Sequence, residues 1–172
     1  MASRHGKITL PTETHDITTH MRVKDAIGYL PPIEAGETHP SVPNHTAYNL
    51  SALNLKRIQS ITEGQGRNDL PADLRVIPGK GFSNVYGRMA WHKVAPTITT
   101  KCTTYNSGRF GHPEQNRAIS IREAACLQTF PIEFNFAGSM AAASRQVGNA
   151  MPPAIAALAG RQFLRQSHTR GN

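Results

Sequence analysis

The segment from Arg117 to Pro153 constrains the fold of this chain more than any other part of the sequence. Ser120 is followed three residues later by Glu123, which is the spacing of a capping box, and an apolar run comes directly after it. The pattern predicts a helix over 121–129, which Pro131 ends because proline cannot continue the hydrogen-bond ladder.

Two further segments have helical spacing. Pro152 can start a last helix over 152–166, since its missing N–H is not needed in the first turn. Residues 18–30 carry Val23, Ala26, Ile27 and Leu30 at helical intervals, and the Pro-Pro pair that follows stops the pattern. The sequence therefore predicts one helix near each end of the chain.

The segment 50–61 is another predicted helix, with Ser51 as its N-cap. Leu55 and Ile58 would line its apolar side. Lys56 and Arg57 would then point towards solvent or phosphate.

β-type residues dominate 83–104, which contains Val85, Tyr86, Trp91, Val94, Ile98 and a run of threonines. The composition predicts a strand-rich region. A short apolar patch, Ile8 to Pro11, could form one more strand.

Composition indicates a modest core and a polyanionic partner. Hydrophobic residues make up 38% of the chain, and Gly and Pro, at 14 and 12 residues, predict many turns. The net charge is +8, with 19 Lys and Arg against 11 Asp and Glu. On charge alone, nucleic-acid binding and a merely basic protein remain equally open.

Cysteine and histidine positions argue against a metal centre or a disulfide framework. Cys102 and Cys126 are too few and too far apart, and the eight histidines have no ligand spacing. The start of the sequence has no secretory signal, and no stretch is long and apolar enough for a membrane span. A cytoplasmic protein without a metal is expected.

The block from Arg117 to Pro131 resembles the ninth conserved motif of DNA cytosine-5 methyltransferases. Cys126 departs from the motif, because the family commonly has Arg there, and Ile119 is a mild change. The resemblance implies a motif that organises the target-recognition region and does no chemistry. The matching residues are Arg117, Ser120, Arg122, Glu123, Ala125, Leu127, Gln128, Phe130 and Pro131.

The block from Gln146 to Pro153 is similar to the tenth motif, Gln-x-Gly-Asn-x-Val-Pro-Pro. Gly148 permits a positive φ or a close approach of another backbone segment. The resemblance implies that Asn149, Ala150 and Met151 line the pocket for S-adenosylmethionine. Met151 replaces a more frequent Val.

The segment between Tyr86 and Phe110 is similar to the target-recognition segment of bacterial members. Its Ala-Pro-Thr-Ile-Thr stretch matches a recurring sequence whose first Thr, here Thr97, approaches a DNA phosphate. Basic and amide side chains can read base edges, and aromatic rings can stack. The DNA-binding candidates are Arg88, Thr97, Thr99, Lys101, Tyr105, Asn106 and Arg109.

The family's catalytic motifs do not occur in this sequence. Neither cysteine follows a proline, so the Pro-Cys nucleophile is absent, as are the Glu-Asn-Val, Phe-x-Gly-x-Gly and Gln-x-Arg-x-Arg motifs. No residue is therefore assigned a catalytic role. The resemblance implies that the chain begins just after the last of these motifs and is the C-terminal part of a split or truncated enzyme.

Two functions from different classes follow. The first is the recognition and C-terminal portion of a methyltransferase of restriction-modification type, which would bind duplex DNA and complete a cofactor pocket with an N-terminal catalytic subunit. The second is a non-catalytic DNA-binding relic or decoy of such an enzyme. A basic RNA-associated protein is a third, weaker reading.

The expected fold class is α+β, with a loop-rich target-recognition lobe and C-terminal helices that would complete a Rossmann-like α/β domain supplied elsewhere. Residues 1–16 are expected to be a strand and linker of the catalytic domain. Residues 17–120 are expected to form the DNA-binding region, and 121–172 the helices that pack on the catalytic domain.

Overall fold

The computed structural model describes residues 9, 11–16, 18–75 and 84–168. Residues 167 and 168 are described by their backbone alone. Within those ranges the chain forms helices joined by long loops. Residues 67–69 and 105–107 add single 3₁₀ turns. The α-helices are α1 (Val23–Ile27), α2 (Ala52–Gln59), α3 (Ala72–Arg75), α4 (Ile121–Leu127), α5 (Met140–Asn149) and α6 (Pro153–His168).

The chain divides into two compact units. The central unit, Met21–Ala150, holds α1 to α5. The terminal unit combines residues from 1–20 with those from 151–172 and holds α6.

The core of the central unit is built around α4, which packs against both α1 and α5. Val23 and Ile27 of α1 meet the buried alanines of α4, and Val147 of α5 closes the same cluster. The small residues Ala124 and Ala125 allow these helices to approach closely. A second buried cluster joins Ile58, Leu70, Val85, Tyr86 and Tyr105.

The helix predictions are confirmed in position. The helix expected over 121–129 spans Ile121–Leu127, and the one over 152–166 spans Pro153–His168. The helix expected over 50–61 is Ala52–Gln59, capped by Ser51, whose hydroxyl accepts from the N–H of Asn54.

One detail of the α2 prediction is wrong. Arg57 is buried instead of facing solvent or phosphate, and Leu55 is exposed. The Arg57 guanidinium donates to the carbonyl of Leu74 at 2.9 Å and stacks 4.6 Å from the centre of the Tyr86 ring. The apolar stem and planar head of arginine can fill such a site when its donors find acceptors.

The strand-rich prediction for 83–104 is wrong over the residues from 84 onward, which the structure describes. Its backbone hydrogen bonds close turns, as from Lys93 N to Ala90 O and from Cys102 N to Thr99 O. Tyr86 has a positive φ of 57°, and Pro96 lacks an N–H, so a regular ladder is interrupted. The strand component of the α+β expectation is reduced, in the described ranges, to three isolated bridges.

In the terminal unit, the side chain of Gln166 in α6 accepts a hydrogen bond from the N–H of Thr9 at 3.1 Å. Large apolar side chains stay exposed in this unit, at Met151, Ile155, Phe163 and Leu164. The strand suggested at Ile8 to Pro11 falls largely outside the described residues.

Candidate nucleic-acid interface

The capping box of α4 is also the centre of a buried charge pair. Ser120 Oγ accepts from the N–H of Glu123 at 3.0 Å, and a carboxylate oxygen of Glu123 accepts from the N–H of Ser120 at 2.7 Å. The guanidinium of Arg117 donates to both oxygens of the same carboxylate, each at 2.7 Å. Burial favours the protonated carboxyl, but the hydrogen bonds and charge of Arg117 outweigh it, so the pKa of Glu123 lies below its ordinary value.

Arginines tie the loops around α4 through backbone carbonyls. Arg122 donates to the carbonyls of Pro43, Pro131 and Phe134 at 2.8, 3.1 and 2.6 Å. Arg117 adds a bond to the carbonyl of Ile33 at 2.9 Å. The residues of the Arg117–Pro131 block therefore hold distant loops in place.

His45 joins the same network from the loop before α2. Its ring nitrogens lie 2.8 Å from Ser120 Oγ and 2.8 Å from the carbonyl of Pro31. The carbonyl can only accept, so Nε2 carries the proton and Nδ1 accepts from the serine hydroxyl. Burial lowers the pKa of His45, which matches this neutral form.

Two of the seven predicted DNA-binding residues are buried. Arg88 is 4% exposed, and its guanidinium donates to the carbonyls of Ile58, Ile61, His112 and Gln115 at 2.7 to 3.3 Å. The hydroxyl of Tyr105 donates to the carbonyl of Tyr86 at 3.1 Å. Both side chains support the loops from within.

The other five predicted DNA-binding residues lie at the surface. They fall mostly within one short stretch that follows Pro96, and α5 supports this stretch from beneath. They are Thr97, Thr99, Lys101, Asn106 and Arg109.

The support from α5 is a direct backbone contact. A Cβ added at Gly148 would stand 2.3 Å from the carbonyl carbon of Thr99 and the nitrogen of Thr100, closer than real atoms approach. The hydroxyl of Ser144, one turn earlier, donates to the carbonyl of Thr100 at 3.0 Å. Of the two alternatives predicted for Gly148, the structure has the close approach and not a positive φ. Asn149 follows Gly148 directly at the end of α5.

The C-terminal end of α5 is held from the other side by Gln128, whose amide donates to the carbonyl of Val147 at 3.2 Å. The last residue of the helix, Asn149, is exposed. Ala150 caps the helix through its N–H to the carbonyl of Val147 at 3.3 Å. Met151 belongs to the terminal unit and is 63% exposed.

Arg109 is held in a fixed pose although it is exposed. Its guanidinium donates to the carbonyl of Gly64 at 2.6 Å, and its stem lies against Gly87, where an added Cβ would come within 2.9 Å of the stem. One terminal nitrogen of the guanidinium is thus anchored to the backbone.

Arg145 is a surface cation that the sequence patterns did not single out. It is exposed on α5, one helical turn before Asn149, and it lines the same cleft as Lys101. Its i, i+4 relation to Asn149 was visible in the sequence only once residues 140–149 were known to be helical.

Neither cysteine is placed for nucleophilic chemistry. Cys102 and Cys126 are buried, and burial raises the pKa of both thiols. Cys126 accepts a hydrogen bond from the Tyr29 hydroxyl at 3.6 Å and packs in the core as a small buried residue.

The described residues contain no group of three or more His, Cys, Asp or Glu side chains arranged to hold a metal ion. None of their helices has the length and apolar character needed to cross a bilayer.

Comparison with known proteins gives a consistent result. The family model for C-5 cytosine-specific DNA methylases matches residues 8–165. The type II methylase M.HgiDII of Herpetosiphon aurantiacus is 41% identical over 181 aligned residues, covering 98% of this chain and 51% of that protein. The type II methyltransferase M1.HphI of Haemophilus parahaemolyticus is 40% identical over 151 residues, covering 88% of this chain and 38% of that protein.

A plant protein is similar as well. DNA (cytosine-5)-methyltransferase 3 of Arabidopsis thaliana is 34% identical over 178 residues, covering 86% of this chain and 13% of that protein. The chain thus spans about half or less of the length of these relatives.

Proposed function

The chain belongs to the family of C-5 cytosine-specific DNA methylases, and from that premise we propose that it is the DNA-recognition and C-terminal part of such an enzyme. In this role it binds duplex DNA, and it completes the S-adenosylmethionine pocket for methyl transfer to cytosine C5. The carrying observation is the exposed stretch with Thr97, Thr99 and Lys101, which α5 supports through Gly148.

Three functional parts are proposed along the chain. Residues 17–120 recognise DNA, and 121–172 supply helices that dock on a catalytic domain. Residues 1–16 belong to that catalytic domain as a strand and linker.

On the DNA side, we assign contacts to Thr97, Thr99, Lys101, Asn106 and Arg109. The hydroxyl and ammonium groups suit backbone phosphates, while an arginine fork and an amide suit base edges. Arg109 fits base reading best, because its anchored pose leaves little side-chain entropy to lose on binding. Arg88 and Tyr105 act indirectly by holding the loops that carry these groups.

On the cofactor side, S-adenosylmethionine supplies the methyl group, and Asn149 and Ala150 are the contacts that we assign to the central unit. The residues present fit one wall of such a pocket. The Asn149 amide is exposed at the end of α5, and no hydrogen bond within the described residues occupies it. For Met151 in the terminal unit, the same role stays a prediction.

Chemistry at cytosine C6 needs a nucleophile that these 172 residues do not supply, because the Pro-Cys motif does not occur in them. We propose that a methyltransferase polypeptide with the cofactor and catalytic motifs provides it. Exposed Ile155, Phe163 and Leu164 on α6 offer apolar surface for that partner, and such patches mark interaction sites.

The experiment measures transfer of labelled methyl groups to plasmid DNA in three mixtures. One contains this chain alone, one contains the portion of M.HgiDII that this chain does not match, and one contains both. Transfer is expected in the combined mixture and absent from the other two.

The remaining outcomes separate the candidate functions. Duplex DNA binding without transfer in the combined mixture would support a DNA-binding relic or decoy. Transfer by this chain alone would overturn the proposed division of labour, because it would require one of the two buried thiols to act as the nucleophile.

A further inference from the structure

A cleft on the central unit lies between α5 and residues 100–107. Lys101 of the loop and Arg145 of the helix both line it. The hydroxyls of Thr104 and Ser107 and the amide of Asn106 line the same cleft. No acidic side chain lines it, so its charge is positive.

Neither of the two cations that line the cleft is neutralised within the described residues. Within the described residues, neither Lys101 nor Arg145 makes an ion pair or a side-chain hydrogen bond. The buried Arg117 and Arg122, by contrast, donate to carboxylate or carbonyl oxygens in several directions. The cleft therefore offers free donors for an anion.

The shape and chemistry of the cleft suit a phosphodiester. An arginine fork can hold two phosphate oxygens, an ammonium adds a point charge, and the amide of Asn106 can add a neutral donor. The hydroxyls of Thr104 and Ser107 are hydrogen-bonded within the loop. The walls are rigid on both sides, because Ser144 bonds the carbonyl of Thr100 and Gly148 touches the backbone of Thr99. A site held open in this way loses little freedom on binding.

We propose that this cleft binds one backbone phosphate of duplex DNA, with Arg145 and Lys101 as its charged ligands. The inference rests on the proposed DNA-recognition function and adds Arg145, on the helix that ends in Asn149, as a DNA-binding residue. Duplex DNA is favoured over other polyanions because the cleft continues the exposed stretch that carries Thr97 and Thr99. Phosphate binding here also fixes α5, and with it the position of Asn149.

The test is the salt dependence of binding by the full chain to a labelled duplex of mixed sequence. Each phosphate contact contributes about 0.9 to the slope of log affinity against log salt. We expect the double variant Arg145→Ala with Lys101→Ala to lower that slope by about 0.9, the share of one phosphate, and Arg145→Ala alone to lower it by part of that amount. Arg145→Lys should keep most of the slope, because it keeps the charge.

Lys24→Ala is the matched control, since it removes an exposed positive charge on α1 that does not line the cleft. It should leave the slope unchanged. Arg145→Ala should also melt at the same temperature as the wild type, because alanine is the best residue for an exposed helical position.

The outcomes distinguish the two proposals. Salt-dependent duplex binding by the wild type with an unchanged slope for Arg145→Ala would overturn the cleft and leave the proposed function standing. Failure of the wild type to bind duplex DNA would overturn both. An equal slope loss with a duplex RNA of the same length would overturn the assignment of the cleft to DNA.

Discussion

Two sets of basic side chains in the central unit behave in opposite ways. Arg88, Arg117 and Arg122 are at most 4% exposed, and their donors meet oxygens of the protein itself. Lys101 and Arg145 are exposed, and their side chains form no hydrogen bond or ion pair within the described residues. The net charge of +8 therefore overstates the charge available to a polyanion, because several of the positive side chains are buried and bind oxygens of the loops.

Removing the buried pair should have the largest effect on stability. Arg117→Met leaves Glu123 charged and buried without its partner, and such a loss costs about 3–5 kcal/mol. Urea denaturation measures it, with Arg145→Met as the exposed control, expected within about 0.5 kcal/mol of wild type. Equal effects of the two variants would erase the distinction between the two sets.

Acid should lower the free energy of unfolding by protonating a buried histidine of the network around Glu123. His112 Nδ1 accepts from the N–H groups of Glu114 and Gln115, and burial lowers the pKa of His112 to about 4, although Glu123 opposes the shift. Arg117, Arg88 and His45 lower it further.

The sign of the pH effect follows from that shift. Between pH 6.5 and 4 the unfolded chain binds a proton at His112 that the folded chain does not. Stability is therefore complete above pH 6.5 and falls by up to about 3 kcal/mol as the pH drops to 4. Denaturation midpoints across this range measure the loss. His112→Gln should flatten the dependence of stability on pH and leave only the part due to His45. A wild-type stability that does not change from pH 7 to 5 would contradict the role of His112.

A glycine pair tests the contact between α5 and the exposed stretch. Gly148→Ala forces a methyl group into the backbone of Thr99 and Thr100, and overpacking of this kind costs about 1–3 kcal/mol. Gly160 in α6 has nothing within 4 Å of an added Cβ, so Gly160→Ala should stabilise the helix by up to about 1 kcal/mol. Thermal unfolding of both variants measures the difference in stability. A change of the same sign in both variants would contradict the proposed support of the exposed stretch by α5.

The smallest effect on stability is expected at the exposed stretch itself. Thr97→Val should change the free energy of unfolding by less than about 0.5 kcal/mol. If Thr97 donates to a DNA phosphate, duplex affinity should fall about fivefold, as one lost hydrogen bond of about 1 kcal/mol gives. Titration of a labelled duplex measures it, and an unchanged affinity would remove Thr97 from the proposed interface.

Local signals in the sequence predicted the helices that carry them. Ser120 and Glu123 form the capping box expected of them, and Ser51 caps α2 as its position indicated. These elements depend on residues three or four apart, so no tertiary information was needed. The close approach at Gly148 was also visible, although its partner was not.

Long-range pairing explains what the sequence could not predict. Most acceptors of Arg88 are backbone carbonyls 24 to 30 residues away, and carbonyls leave no mark in the residue types. α5 was not predicted, although it begins after Ser139 with four helix-favouring residues. The threonines of 97–104 favoured strands by type, yet turns satisfy their backbone.

Because Arg88 and Arg122 hold main-chain oxygens, the loops they secure can change their side chains without losing the bond. Replacing Pro43 or Phe134 changes the side chain at the surface, while the peptide oxygen can still accept from the Arg122 guanidinium. A lobe fastened in this manner can acquire new sequence preferences by substitution at its surface, and its framework need not be rebuilt each time.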